Sequence, residues 1–474
     1  MEQEKKLVLD VHESPKRIRD WVILSVQHIL AMFVACITVP LIVYSGYLNA
    51  AGESLAQTMI PPVLVSAGVG TIFYLIVTKM KSPVFLASSF AYIAPISGAL
   101  AIGAVGTTPN LWALPIGMGM VGIIYVVIAL LIRAFGVNWL MKLLPPIVIG
   151  PVIMVIGLSL AASAINNLTN VNGGAENYNL IHILCGLVAL VVTALCAHYG
   201  KKTVALIPFV LGMCAGYLTA LAFTLFGYYL GENDYFHVID FSPLVNNFSE
   251  VTFRSFIDYP DFLFLTQKTV PLKGEMIGTI ALLFIPVSLV TICEHIGDHE
   301  NLSGILDRNL LEDPGLSRTL IGDGVATALS GVMSGVANTT YGENVAVVGV
   351  TKIASTKVVL TAAIGAILLA FIKPLMCLVM TIPACVTGGV SLILYGFIAS
   401  SGVKTLMRAK VDFGQTKNIF VASVILVSGI GGLALKFGDP TNPLITVTSV
   451  AVSMILGILM NLILKDKKPA ENQQ

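Results

Sequence analysis

Apolar runs close to the ~20 residues that an α-helix needs to cross a bilayer follow one another from residue 21 to residue 464. Short links of charged and turn-forming residues separate them. The pattern predicts fourteen segments, near 21–45, 55–78, 83–104, 110–132, 143–164, 179–198, 203–229, 274–299, 315–334, 338–356, 358–381, 384–401, 418–435 and 441–464. No part of the chain alternates polar and apolar positions over the ~10-residue stretches that a membrane barrel requires. The predicted fold class is an all-α polytopic membrane protein. The polar start, MEQEKKLVLDVHESPKRIRD, is too long and too acidic for a signal peptide, so the first run reads as a retained span.

One long polar stretch, 231–272, interrupts the series and leaves seven apolar segments on each side. An odd number per half makes the second half enter from the opposite face, the arrangement of an inverted repeat. Internal echoes fit that pairing. SVQHILAMF in the first segment corresponds to TICEHIGDH in the eighth. SSFAYIAP in the third corresponds to TTYGENVA in the tenth. Pro145 and Gly150 at the fifth correspond to Pro383 and Gly388 at the twelfth.

Composition and charge add an orientation. The chain is 56% hydrophobic and 11% charged, against roughly 25% charged for soluble domains. Its net charge of +1 gives nucleic acid no basic surface to bind. With the N-terminus placed in the cytoplasm, all but five of the 27 Lys and Arg residues fall on inside links. The exceptions are Arg254, Lys268, Lys273, Lys373 and Lys436. That bias is what the positive-inside rule requires, and it puts both termini on the cytoplasmic side of the cell membrane. The seven cysteines show no CxxC spacing and read as small core or lipid-facing residues.

A charge at the bilayer centre costs about 2.5–3.5 kcal/mol on insertion scales, so the few that remain mark candidate function. They are His28, Glu294, His295, Asp298, His299, Asp323, Glu343 and Lys373. In EHIGDH, Glu294 and Asp298 share one helix face, and His295 and His299 the adjacent one. Three readings compete there: a metal site, a structural network, and a substrate and proton site, the last favoured because two carboxylates share a face. Glycines flank Asp323, which suits a bond across helices or a proton relay. Lys373 reads as snorkelling to the outer interface.

The tenth segment, NTTYGENVAVVGVTK, starts poorly as a helix. A half-helix beginning near Gly342-Glu343 would leave N–H groups aimed at the midplane, and its lead-in can run extended only where it lines a protein cavity. Two short antiparallel strands, within 86–90 and 338–342, are therefore expected in segments 3 and 10. The helices after them would aim their positive ends at one ligand. Glu343 could instead be a plain helix cap, Asn344 a backbone partner, and Tyr395 a packing residue.

These residues resemble the nucleobase–ascorbate transporter family. GENVAVVGVTK matches its signature through Glu343, Asn344, Thr351 and Lys352, with Ala346 where Gly is usual. The first-segment QH, the third-segment SSFA, the eighth-segment EHIG and EDPGLSR at 312–318 add to the match, which runs from about residue 16 to 465. Glu ahead of the Asn is similar to uracil-type members; xanthine-type members more often have Gln. Asp298 stands where uracil-type members can carry His, as in some purine-type members, so uracil and a purine both stay open.

The resemblance implies a core domain (21–140 and 273–382, segments 1–4 and 8–11) rocking against a gate domain (141–230 and 383–465, segments 5–7 and 12–14). The polar stretch 231–272 becomes an extracytoplasmic loop, with cytoplasmic tails at 1–20 and 466–474. It implies proton symport of a nucleobase, no enzymatic step, no cofactor and no metal, and dimers through the gate in many members. Carried over by motif, Glu294, Glu343, Phe90, Gly342, Tyr395 and Asn344 contact substrate. Asp298, His28, Asp323 and Glu343 handle the proton. The chemistry is coherent: uracil is planar and edged by alternating donors and acceptors, and a carboxyl group accepts when ionised and also donates when protonated.

Overall fold

The computed structural model describes residues 7–169, 178–201, 204, 207–231, 233–263, 269–438 and 443–464. The 466–474 tail and Lys465, Lys467 and Lys468 lie outside them. The principal helices are α1 (Ile18–Val43), α2 (Ile60–Val77), α3 (Ile93–Ala101), α4 (Ala113–Phe135), α5 (Pro146–Ser159), α6 (Leu180–Tyr199) and α7 (Pro208–Tyr229). In the second half come α8 (Gly274–Leu306), α9 (Leu316–Met333), α10 (Gly342–Thr351), α11 (Thr356–Ala370), α12 (Ala384–Arg408), α13 (Thr416–Ile430) and α14 (Ser449–Ile463). Among the described residues, eight helical stretches are long and apolar enough to cross a membrane. This is a multi-pass, all-α membrane fold.

Local chemistry starts and stops these helices. Proline occupies the first turn of α2, α5 and α7, where its missing N–H costs nothing. The Asn179 side chain caps α6 by accepting the Ile181 N–H at 2.8 Å. Gly136, at φ +77°, ends α4 in a conformation that suits glycine. α8 continues seven residues past the predicted end at 299 and stops at a left-handed Asp307.

Two strands interrupt the helical pattern, β1 (Leu86–Ser88) and β2 (Asn338–Thr340). They pair antiparallel with Leu86 opposite Thr340, Ala87 opposite Thr339 and Ser88 opposite Asn338. Their other backbone groups find side chains, as burial requires. Thr71 Oγ1 takes the Leu86 N–H at 2.9 Å. Thr327 Oγ1 donates to the Asn338 carbonyl at 2.5 Å, and Asn338 Nδ2 donates to the Ser66 carbonyl at 2.8 Å. The strands are shorter than the expected extended pieces. Phe90 already opens a 3₁₀ turn and Gly342 already belongs to α10.

A second hairpin, β3 (Leu435–Gly438) with β4 (Pro443–Val447), stands where the apolar pattern predicted the end of one segment and the start of the next. The run before α14 is rich in β-branched residues, which periodicity alone cannot separate from helix. The Lys373 ammonium lies 3.4 Å from Asp258 of the polar stretch 231–272, and the Lys373 N–H bonds the Phe256 carbonyl. The polar stretch before α8 thus fastens onto the start of the helix at Lys373–Met380.

Packing sorts the helices. α9 packs against α4 and α2, α11 against α2 and α1, and α8 against α4. Separately, α12 packs against α5 and α6, α7 against α6, and α13 against α14 and α5. Within the second set the α6–α12 approach is limited by backbone. A Cβ built on Gly389 would lie 2.0 Å from the Gly186 carbonyl oxygen, whereas one on Gly278 meets nothing within 4 Å. Gly389→Ala is expected to lower stability in detergent by at least about 2 kcal/mol. Gly278→Ala should change it by less than about 1 kcal/mol. Chemical denaturation of the two variants side by side measures the difference.

Candidate functional site

The two strands end where two helices begin. β2 leads through Tyr341 into α10, and no side chain caps that helix. β1 leads through Ser89 into the 3₁₀ turn Phe90–Tyr92 and then α3. Both N-termini present backbone N–H groups, partial positive charge, at the strand crossing. The long helix α8 passes beside them and supplies Glu294 and Asp298 from one face.

These elements enclose a cavity of about 270 Å³. Glu294, Asp298, Glu343, Gly342, Phe90 and Ser89 stand on its wall, with Ile153, Phe209, Phe397 and Ile398 supplying apolar surface. Three carboxyl groups therefore share one small space. Four buried polar atoms on the wall have no protein partner: Glu294 Oε2, Ser89 Oγ, Thr339 Oγ1 and the Tyr341 hydroxyl. Buried polar groups are almost always bonded, so such a cluster suits a polar ligand.

Asp298 is held by Thr340, whose hydroxyl donates to Oδ2 at 2.9 Å. Strand alternation explains the division of labour: Thr340 turns to α8, while the hydroxyl of its neighbour Thr339 stays unbonded. Sequence reading passed over both as ligand-handling groups. The alternation within NTT is the signal that could have found them.

The remaining candidates sit behind the wall. Asn344 Nδ2 donates to the His28 carbonyl at 3.0 Å and lies 3.1 Å from His28 Nδ1, joining α10 to α1. Asp323 is fully buried, with Oδ2 2.7 Å from His295 Nδ1. Tyr395 does not line the cavity; its ring meets Phe90 edge to face at 5.4 Å. It backs the aromatic that forms the wall.

The histidine pair has protein partners on all four ring nitrogens. His295 Nε2 lies 2.9 Å from Thr319 Oγ1, His299 Nδ1 2.8 Å from the His295 carbonyl, and His299 Nε2 2.7 Å from the Tyr74 hydroxyl. That is the structural-network reading of EHIGDH, not a metal site, for its histidines. Among the described residues no group of three or more His, Cys, Asp or Glu is placed to hold a metal. The bonding also locates a proton. Thr319 Oγ1 donates to the Leu316 carbonyl at 3.1 Å, so it accepts from His295 Nε2–H. One further proton then lies between His295 Nδ1 and Asp323 Oδ2, as a carboxylic acid beside a neutral ring or as an ion pair. If Thr319 instead turns its hydroxyl to Nε2, the proton between Nδ1 and Oδ2 remains, as a neutral ring's Nδ1–H beside a carboxylate, and the proton on Nε2 is the one removed.

Comparison with known proteins places this site in context. A family model described as a permease family matches residues 19–437. A uracil permease of Bacillus caldolyticus is 40% identical over 468 residues, covering 98% of this chain and 97% of that one. A uracil permease of Bacillus subtilis (strain 168) is 36% identical over 467 residues, again covering 98% and 97%. Among solved structures, the murine Solute Carrier 26 family member A9 anion transporter in the inward-facing state superposes with a TM-score of 0.59 at 11% identity. It covers 94% of this chain and 69% of that chain. At that identity the likeness is one of fold.

Proposed function

The chain belongs to the permease family whose model it matches, and from that premise we propose that it carries uracil into the cell together with protons by alternating access. The observation that carries this reading is the convergence of Glu294 on α8 and Glu343 on α10 on one cavity beside unbonded buried polar atoms. A planar base with alternating N–H and C=O groups offers partners to both acids and to the backbone N–H groups at Phe90 and Gly342. Phe90, backed by Tyr395, supplies a face for the ring. Asn344 ties the Glu343 helix to α1 through His28. Asp298 and the Asp323–His295 pair, like Glu343, can each gain and lose a proton in place.

The finer architecture follows the same reading. The eight long helices, the shorter apolar ones at Phe90–Ala101, Thr356–Ala370, Thr416–Ile430 and Ser449–Ile463, and α9 and α10 make fourteen spans in two inverted sets of seven. The packing division into α1–α4 with α8–α11 and α5–α7 with α12–α14 corresponds to a core and a gate. The cavity reaches Ser401 and Lys404. Lys404 lies near the end of α12, among the basic residues that the positive-inside rule assigns to the cytoplasm, so the cavity is read as open inward.

Uptake of labelled uracil by proteoliposomes under an inward proton gradient tests the proposal. Uptake should collapse on adding a protonophore; uptake unchanged by it would refute proton coupling. The second reading, a purine cargo, is favoured by the acid at position 298. A hundredfold excess of unlabelled xanthine should leave uracil uptake within about twofold of its starting rate; equal competition would favour the purine.

A further inference from the structure

The N-terminal segment 7–13 lies outside the matched family region, yet it is bonded to the residues that follow both helices carrying the proposed ligand acids. α8, bearing Glu294, ends at the left-handed Asp307, and α10, bearing Glu343, ends at the left-handed Lys352. The segment runs across both ends. The Lys352 carbonyl accepts the Val8 N–H at 2.8 Å, and the Leu9 carbonyl accepts the Ala354 N–H at 2.8 Å. Leu9 and Ile353 form a parallel bridge. The Val11 carbonyl accepts both the Thr356 N–H at 3.0 Å and the Thr356 hydroxyl at 2.9 Å. On the other side, Arg308, one residue past α8's cap, reaches Asp10 with Nη2 to Oδ2 at 2.5 Å.

The segment also enters the interior. Val11, 1% exposed, joins an apolar cluster with Leu302 and Leu306 of α8, Val345 and Val348 of α10, and Leu86 of β1. It therefore shares one cluster with the helix of Glu294, the helix of Glu343 and β1. Ends fastened at a distance matter because helices are stiff. Glu343 lies about 13 Å of helix rise from Lys352 and Glu294 about 20 Å from Asp307, so a swing of roughly 3° at Glu294 or roughly 4° at Glu343 shifts the carboxyl by about 1 Å.

We propose that residues 7–13 form a strap that sets the spacing of Glu294 and Glu343, with Asp10, Val11 and Arg308 as positioning residues for the bound base. The ligand part of this inference rests on the uracil reading; the strap itself does not. Two readouts keep them apart: uracil affinity by calorimetry, and hydrogen–deuterium exchange of the Val345–Thr351 amides without ligand. Val11→Asp should speed that exchange about tenfold and weaken uracil binding about tenfold, since it puts a charge into the cluster. Asp10→Ala and Arg308→Ala should each weaken binding about threefold, the scale of a partly exposed ion pair. In transport, KM should rise while the maximal rate per folded molecule stays within about twofold. The exchanged pair Asp10→Arg with Arg308→Asp should restore affinity to within about twofold of the native value.

Unchanged α10 exchange in Val11→Asp overturns the strap, as does failure of the charge exchange to restore affinity. A fall in folded protein with unaltered KM would assign the segment a purely structural role and also overturn it. If Val11→Asp does not fold, the Asp10 and Arg308 variants decide alone. Absence of uracil binding by the native protein would count against the cargo, while the exchange measurement still reads the strap.

Discussion

Glu294→Ala and Glu343→Ala should each reduce uracil binding at least a hundredfold in calorimetry on protein that remains folded. Each acid offers the base charge-assisted hydrogen bonds, about 1.5–3 kcal/mol apiece. Loss of such a contact also leaves the base's own donor unbonded in the cavity, which adds to the cost. The two acids approach the cavity from different helices, Glu294 from α8 and Glu343 from α10. Glu294→Gln and Glu343→Gln separate binding from coupling. An amide keeps an acceptor but cannot exchange a proton at neutral pH. If Glu343 carries the proton, Glu343→Gln should keep binding within about tenfold and lose acceleration of uptake by a proton gradient. If Glu343→Ala leaves affinity intact, the site is misplaced.

His295→Ala should destabilise the protein by about 3–5 kcal/mol, the range seen when one partner of a buried charged pair is removed. Asp323 is fully buried and its Oδ2 faces His295 at 2.7 Å, so loss of the ring strands a buried carboxyl oxygen. Asp323→Ala alone should cost a similar amount. The double variant should cost clearly less than the two singles added together, because neither partner is then left stranded. Unfolding in detergent followed by denaturant titration gives all three values. Additive losses would show that the 2.7 Å contact contributes no coupling. Asp323→Asn keeps the shape and one hydrogen bond; it should retain most of the stability and show whether the pair's proton matters to transport.

The eighth segment shows how much of this was legible. EHIGDH declared itself by cost: four ionisable groups in an apolar run need a reason. Helical period then put Glu294 and Asp298 on a common face, and both line the cavity. The same period put His295 and His299 together, and their rings stack at 4.1 Å. What the residues serve was not legible. His295 belongs to Asp323 and Thr319, and His299 to Tyr74, partners that lie 24 to 225 positions away along the chain in α9 and α2. Tyr395 shows the same limit. Its place behind Phe90 depends on how α12 meets the β1–α3 turn, which no local pattern encodes.

The hairpin at β3 and β4 failed to register for a different reason. Helix and strand propensities differ by fractions of a kcal/mol per residue, and a short β-branched apolar run fits either. Burial against neighbours decides, and β4 lies against α8.

By itself the sequence determined the class, because hydropathy and chain length act locally: a run of apolar residues long enough to span must form helix, or its backbone stays unpaired in lipid. Basic residues biased the links in the same residue-by-residue way. The motif residues determined the family. Only the tertiary structure decided which acids meet, which threonine of NTT holds Asp298, which side chain shares the Asp323 proton, and that residues 7–13 close over the ends of α8 and α10. These are contacts between segments far apart in sequence, set by packing and by the demand that each buried polar group find a partner, and neither acts along the chain alone.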